Sequence, residues 1–225
     1  MKISNMGGAL EHWLGFQDKI GRSFMMNEDA LKYPLADYLV NAGNIDIRDI
    51  ELESPHPNLS NRFVDVSVLD NESKNLKNVF ELKLATTKTR WKYEKQRIFD
   101  DLMRLYLANI VTGGKCYFII TGKSAHFQRD FKEAVDFPNK VNRFYQKWFS
   151  FVIGQTQTFD VANETDTDYL SIYQIFTSEY SNSYKGIGTA VSALQLPGQI
   201  TTTCEFITGF KETVVPYMTG IWSVS

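Results

Sequence analysis

The chain has 225 residues, with 24 Lys and Arg against 26 Asp and Glu, for a formal net charge of −2. That length allows a proper core, as one domain or as one domain with a substantial extension, and the charge gives no global sign of the strong basicity common among nucleic-acid binders. Only two cysteines are present, Cys116 and Cys204, in apolar or Thr-rich surroundings, which argues against a disulfide framework and a zinc site.

The opening, MKISNMGGALEHW, lacks the long apolar core of a signal peptide, and no apolar run reaches membrane-spanning length; a soluble cytoplasmic protein is expected. The first third begins with mixed patterning that reads as helix. A second helix is expected over residues 28–40, where Leu31, Leu35, Tyr38 and Leu39 recur at helical spacing behind Asn27 as N-cap. Pro34 inside it implies a kink or two shorter pieces, and Gly43 suits a stop. Residues 45–53 (IDIRDIELE) alternate like a strand, and Ser54-Pro55-His56-Pro57-Asn58 reads as a loop.

Two neighbouring segments carry the most information. In NRFVDVSVLD, Val64, Val66 and Val68 alternate with Asp65 and Ser67; in NVFELKLAT, Phe80, Leu82 and Leu84 alternate with Glu81 and Lys83. Both have the period of a half-buried strand, and the polar stretch between them, residues 70–78, makes an antiparallel hairpin the simplest connection. With both apolar stripes on one core, Asp65, Glu81 and Lys83 share the opposite face. Two carboxylates and an ammonium converging on one point can hold a divalent metal beside a phosphate.

A helix follows over residues 93–110, with Ile98, Leu102 and Leu105 in a buried stripe, closed by Gly113-Gly114. CYFIITG, residues 116–122, reads as a short buried strand. Residues 131–151 read as helix with aromatic and basic residues interleaved (Lys140, Arg143, Phe144, Tyr145, Lys147, Trp148); such a mixture either stacks bases or, more often, packs the core with its basic residues wet. From Gly154 the charges thin out, and TQTFDV, YLSIYQIFT, QITTTCEFITGF and ETVVPYM read as strands. This part, residues 153–225, is expected to be a β-rich extension packed on a core of residues 1–152, extending the sheet, forming a dimer interface or aiding target recognition. Gly186-Ile187-Gly188 is too short for a nucleotide-binding fingerprint.

Asp65, then Glu81-Leu82-Lys83 on the next strand, with a strand before, an amphipathic helix after and a further buried strand, resembles the core of the PD-(D/E)XK nuclease superfamily over roughly residues 28–122. Val64 stands where that family often has Pro. The resemblance implies a restriction endonuclease-like α/β fold, a mixed central sheet flanked by helices in the order α-β-β-β-α-β. It implies a Mg²⁺-dependent phosphodiesterase, with Mn²⁺ as substitute. Asp65, Glu81 and the Leu82 backbone carbonyl would be metal ligands, and Glu28 an additional one. Lys83 would serve as general base or electrostatic stabiliser, and Gln96 would help orient the site. DNA is the implied partner, with RNA left open, and double-strand cutting with one site per chain favours a symmetric dimer.

Simpler readings stand beside these. Glu28 serves as an acid at a helix N-terminus, Gln96 as a surface glutamine, Asp70 as a turn former, and Asp100 and Asp101 as exposed helix charges. Lys74, Lys77, Lys83, Lys88, Arg90, Lys92, Lys95 and Arg97 form a basic run that either draws a phosphate backbone or is a solvated helix face. His12, His56 and His126 are isolated, and neither cysteine lies in a nucleophile motif. The functional alternatives are a catalytically silent nuclease-fold module that binds nucleic acid or an assembly partner, and an unrelated domain with a surface ion-pair cluster.

Overall fold

A computed structural model describes residues 2–135, 142–161, 172–183, 198–208 and 216–225; the Gly186–Gly188 motif and Lys140 lie outside the described residues. Two helices open the chain, α1 (Ile3–Lys19) and α2 (Glu28–Asn41). The Asn27 side chain accepts the Ala30 N–H at 2.8 Å, and Glu28 and Asp29 occupy the first turn, where the helix dipole favours acids. Pro34 does not divide α2: one helix runs through it, without the hydrogen bond that its missing N–H would make. At the other end, the Gly43 N–H closes onto the Tyr38 carbonyl at 3.1 Å, as expected of a stop.

Residues 47–49 form a 3-10 turn, so the first strand is shorter than its alternation suggests: β1 is Ile50–Pro55. β2 (Phe63–Leu69) and β3 (Leu76–Ala85) follow as the expected antiparallel hairpin, with Asp70 accepting the Ser73 and Glu72 amides in the connecting turn. Helix α3 (Lys92–Thr112) ends at Gly113, whose φ of 65° a side chain would resist. It carries the chain across to β4 (Lys115–Lys123), which pairs with β3 in parallel, an arrangement that requires such a crossover.

The second half differs more from expectation. In place of a helix over residues 131–151, Ser124–His126 (α4) leads into a π-helical stretch, Phe127–Lys132, and later a 3-10 turn, Phe144–Lys147. YLSIYQIFT is not a strand but leads into helix α5 (Ile172–Ser183), with Ile172 and Phe176, one turn apart, buried. β5 (Thr156–Asp160), β6 (Gln199–Ile207) and β7 (Tyr217–Val224) are strands, and they extend the same sheet, in the order β1-β2-β3-β4-β7-β6-β5. The fold is thus α/β, a seven-stranded mixed sheet flanked by helices. Among the described residues no helix is long and apolar enough to cross a membrane.

Each sheet face has its own core. On one, α1 and α2 bury Met6, Leu10, Leu31 and Leu35 against Val66, Phe80, Leu82 and Ile221. On the other, α3, α5 and the irregular segments bury Phe99, Leu102, Tyr145 and Trp148 against Val79, Phe118 and Trp222. Phe144, Tyr145 and Trp148 are therefore core, unavailable for base stacking. Trp222 in β7 lies 4.7 Å from the Phe149 ring centroid and donates its indole N–H to the Ser150 carbonyl at 2.7 Å. A chain ending at residue 152 would lose β7 and this indole, leaving β4 with an open edge and both cores uncovered. It is expected to lose its near-UV circular dichroism and to bind a hydrophobic dye, where the full chain unfolds cooperatively.

Candidate active site

β2 and β3 stay paired only part of their length. Their register runs from Leu69 opposite Leu76 to Val66 opposite Phe80, and there it stops, while β1 follows β2 on to Pro55 opposite Phe63. Beyond that point, the Leu82 amide is taken not by a β2 carbonyl but by the Asp65 carboxylate, at 2.7 Å. Opposite Asp65, β1 carries Glu53 at a φ of 52°, skipped by the pairing between Leu52 and Ser54. Val64 packs in the α3-side core, while Val66 packs in the α1–α2 core, so the alternation of β2 breaks at Asp65. The result is a wedge between the strands whose inner wall is Asp65 and the Glu81-Leu82-Lys83 triplet.

One expectation fails here. The face that carries Glu81 and Lys83 is covered by α3 rather than open to solvent, because Val79 and Phe118 give it an apolar layer of its own. Glu81 and Lys83 are both buried, and α3 supplies their counter-charges. Arg104 Nε lies 3.0 Å from Glu81 Oε1, and Lys83 Nζ lies 2.9 Å from Asp101 Oδ2 and 3.3 Å from Glu28 Oε2. Arg104 also pairs with Asp101, and Arg97 holds Glu28 at 3.0 Å and Glu94 at 3.2 Å. Asp65 keeps more exposure, and its other oxygen is 3.3 Å from Lys32 Nζ. Lys32, itself buried, also contacts Asp29 and Glu53.

These surroundings set the protonation energetics. Burial pushes the Glu81 carboxyl well above the ordinary carboxylate range; Arg104 opposes this, and the Asp101 and Asp65 charges reinforce it. Burial also raises Glu28, against the pull of Lys83 and Arg97. For Lys83, burial works against the ammonium, but Asp101 and Glu28 outweigh it and raise its pKa above the usual lysine value.

The remaining expected positions divide. Glu28 starts α2 as a helix N-terminal acid and also reaches Lys83. Gln96 is buried rather than on the surface, and its amide donates to Asp100 at 2.8 Å and to the Ile172 carbonyl at 3.2 Å, toward α5 rather than toward Lys83. Asp100 and Asp101 are buried too, not exposed helix charges; Asp101 belongs to the site. Lys32, Arg97, Asp101 and Arg104 were missed. For the last three the signal was the Glu94–Arg97–Asp101–Arg104 spacing, which puts four alternating charges on one face of α3 beside a strand carrying Glu and Lys. The basic run does not form one patch. Lys77 and Lys83 are about 20 Å apart along β3, Lys74 pairs with Asp49 at 2.8 Å, and Lys95 is buried over the Phe144 ring.

Among the described residues no three of His, Cys, Asp and Glu stand together as a ready ligand set. Magnesium asks for less: one or two carboxylates with water and phosphate oxygens. Asp65 and Glu81 supply those hard donors, and a divalent cation would favour the charged form of Glu81 that burial disfavours. The donor chemistry fits. No family model, curated protein or solved structure matches the chain.

His56, from the loop before β2, anchors this site from below. Its Nε2 donates to the Arg104 carbonyl at 2.8 Å and its Nδ1 accepts the Asn58 N–H at 3.1 Å, which uses both nitrogens of a neutral ring. Burial pushes the imidazole down to about 4, against the opposing pull of the carbonyl bond. Because the unfolded ring takes a proton near pH 6.5 and the folded one does not, the His56 contribution is intact above that pH and is lost as pH falls toward 4. Urea titrations should show the stability of wild type relative to His56→Gln falling by about 2 kcal/mol between pH 7 and 4.5; a constant difference would mean that the ring takes up its proton equally in the folded and unfolded chains.

Proposed function

We propose that the protein is a divalent-metal-dependent nuclease with a restriction endonuclease-like core, hydrolysing DNA phosphodiester bonds as a cytoplasmic endonuclease of restriction or repair type. The observation that carries this reading is the Asp65 carboxylate bonded to the Leu82 amide, which brings the acid of one strand to the backbone between Glu81 and Lys83 on the next. The order of elements from α2 through β1, β2, β3 and α3 to β4 supports it.

Magnesium bound at Asp65 and Glu81, with the Leu82 carbonyl as a further donor, would neutralise phosphate charge and acidify an attacking water. The chain's own residues do the rest. Asp65, fixed through one oxygen by the Leu82 amide, has its other oxygen held by Lys32, which would share it with a bound cation. Lys83, held between Asp101 and Glu28, keeps an ammonium at the wedge, where it stabilises the charge of a scissile phosphate. Glu28 and Arg97 close the site on the α2 side, and Arg104 must yield its hold on Glu81 when a cation enters.

A second reading has its own support. Glu81 and Lys83 are each already paired and shielded from water, the condition of a nuclease scaffold that binds nucleic acid without turnover. Incubation with plasmid, linear and single-stranded DNA, with Mg²⁺, Mn²⁺ or chelator, separates the two. Metal-dependent cleavage is expected, and Asp65→Asn, which keeps an oxygen for the Leu82 amide, and Lys83→Ala should lower it about 100-fold or more with native circular dichroism. Salt-sensitive binding without cut products under any divalent metal would leave only the silent scaffold.

A further inference from the structure

The carboxyl ends of β3 and β4 lie at one edge of the sheet, and several chain segments gather around the Lys83 mouth there. Ser23, in the 3-10 turn Ser23–Met25, bonds to Asp18; Asp18 lies 3.7 Å from Lys123 at the end of β4; and Met26 meets the Tyr217 hydroxyl. Two residues further on, Glu28 reaches Lys83 and Arg97. Arg97 in turn lies 6.0 Å from the Tyr93 ring centroid, over its face. The Phe24 and Tyr93 segments are therefore tied to the same two charged residues.

The side chains presented at this edge are unusual for a wet surface. Phe24 is 83% exposed, Tyr93 71% and Trp91, at the N-cap of α3, 53%. Cations are interleaved with them: Lys88 and Lys92 are exposed beside Trp91 and Tyr93, and Arg97 is half-exposed. Two exposed rings among three cations, with a third on the chain that leads into Glu28, are a poor fit to the outside of a duplex, whose bases are stacked inward and whose rim is phosphate. They suit a strand with unpaired bases, in which each ring has a face to stack on and each phosphate a cation to meet.

We propose that this aromatic and basic rim binds an unpaired DNA strand and feeds it to the wedge, so that the substrate of the site is single-stranded or locally opened DNA. This rests on the nuclease reading for what happens at the wedge, but the binding can be measured without it. The probe is a fluorescently labelled oligothymidylate, compared with a duplex of the same length, added to the full chain in chelator so that no cleavage can occur.

Fluorescence anisotropy should give at least about tenfold tighter binding of the single strand, weakening steeply with salt. Tyr93→Ala, Trp91→Ala and Phe24→Ala are surface changes that leave the cores intact, and each should weaken single-strand binding by about 5- to 100-fold, while Trp91→Phe retains most of it. Equal affinity for duplex and single strand, or aromatic variants that bind like wild type, would overturn the proposal. The two readings fail separately. Tight, ring-dependent binding by a protein that never cuts leaves this rim standing and removes the nuclease; cleavage with no preference for unpaired strands does the reverse.

Discussion

The pairing of β3 with α3 through charge governs how this molecule is put together. Glu81 and Lys83 lie under a helix, in a layer that also contains Phe118 and Leu102. An isolated charge there would cost several kcal/mol. Asp101 and Arg104, one helical turn apart on α3, meet the two strand charges. Rotating α3 by a single residue would bury unpaired charges on both elements, so the ion pairs fix the helix on the sheet more sharply than leucines alone could. Such a network is seldom the most stable filling for a core, since apolar residues of similar volume do as well or better. Its presence at the point where two strands part is the physical reason for reading the wedge as a working site.

The elements that could be read from the sequence were those with a strong local signal. Asn27, Glu28 and Asp29 mark the start of α2, the Leu31–Leu35–Leu39 spacing marks its buried stripe, and Gly113 marks the end of α3. The misreadings came where tertiary packing overrode propensity. Ile172, Tyr173 and Phe176 look like strand residues, yet helix α5 buries Ile172 and Phe176 beside Phe99. The aromatics near Phe144 serve a core built from irregular turns, for which no periodicity exists to be read. The insertion of β7 between β4 and β6 is a long-range pairing that no local pattern encodes.

The site was legible in its strands and hidden in its helix. Alternation placed Glu81 and Lys83 together on one wall of β3, but Asp65 reaches the Leu82 amide through a break in the alternation of β2 that no local pattern shows. Nor could alternation tell whether that wall would be wet. Charges spaced like Arg97, Asp101 and Arg104 ordinarily mark a solvated helix face, and only the sheet beneath them turns that face inward. Lys32 was hidden for a similar reason: on α2 it follows Leu31 and precedes Tyr33, and nothing local shows that its ammonium reaches Asp65 across the strands.

The location of the wedge also follows from topology. Among the described residues, β3 and β4 form the one parallel pair in a sheet that is otherwise antiparallel. Their carboxyl ends must both turn away from the same edge, one into the 86–91 loop and α3, the other into α4. Both connections pack on one face of the sheet, α3 through Ile98 and Phe99 and the stretch after β4 through Phe127 and Phe131, so the opening at that edge comes from the parting of β2 and β3. The antiparallel β2 enters from that edge, so its amino end, with Asp65, lies beside the carboxyl end of β3, with Lys83. A chain with net charge near zero can therefore still gather Lys88, Lys92 and Arg97 toward one end of the sheet, because all three follow β3 out of that edge. Where these cations stand is set by where the chain leaves the sheet, not by its total charge.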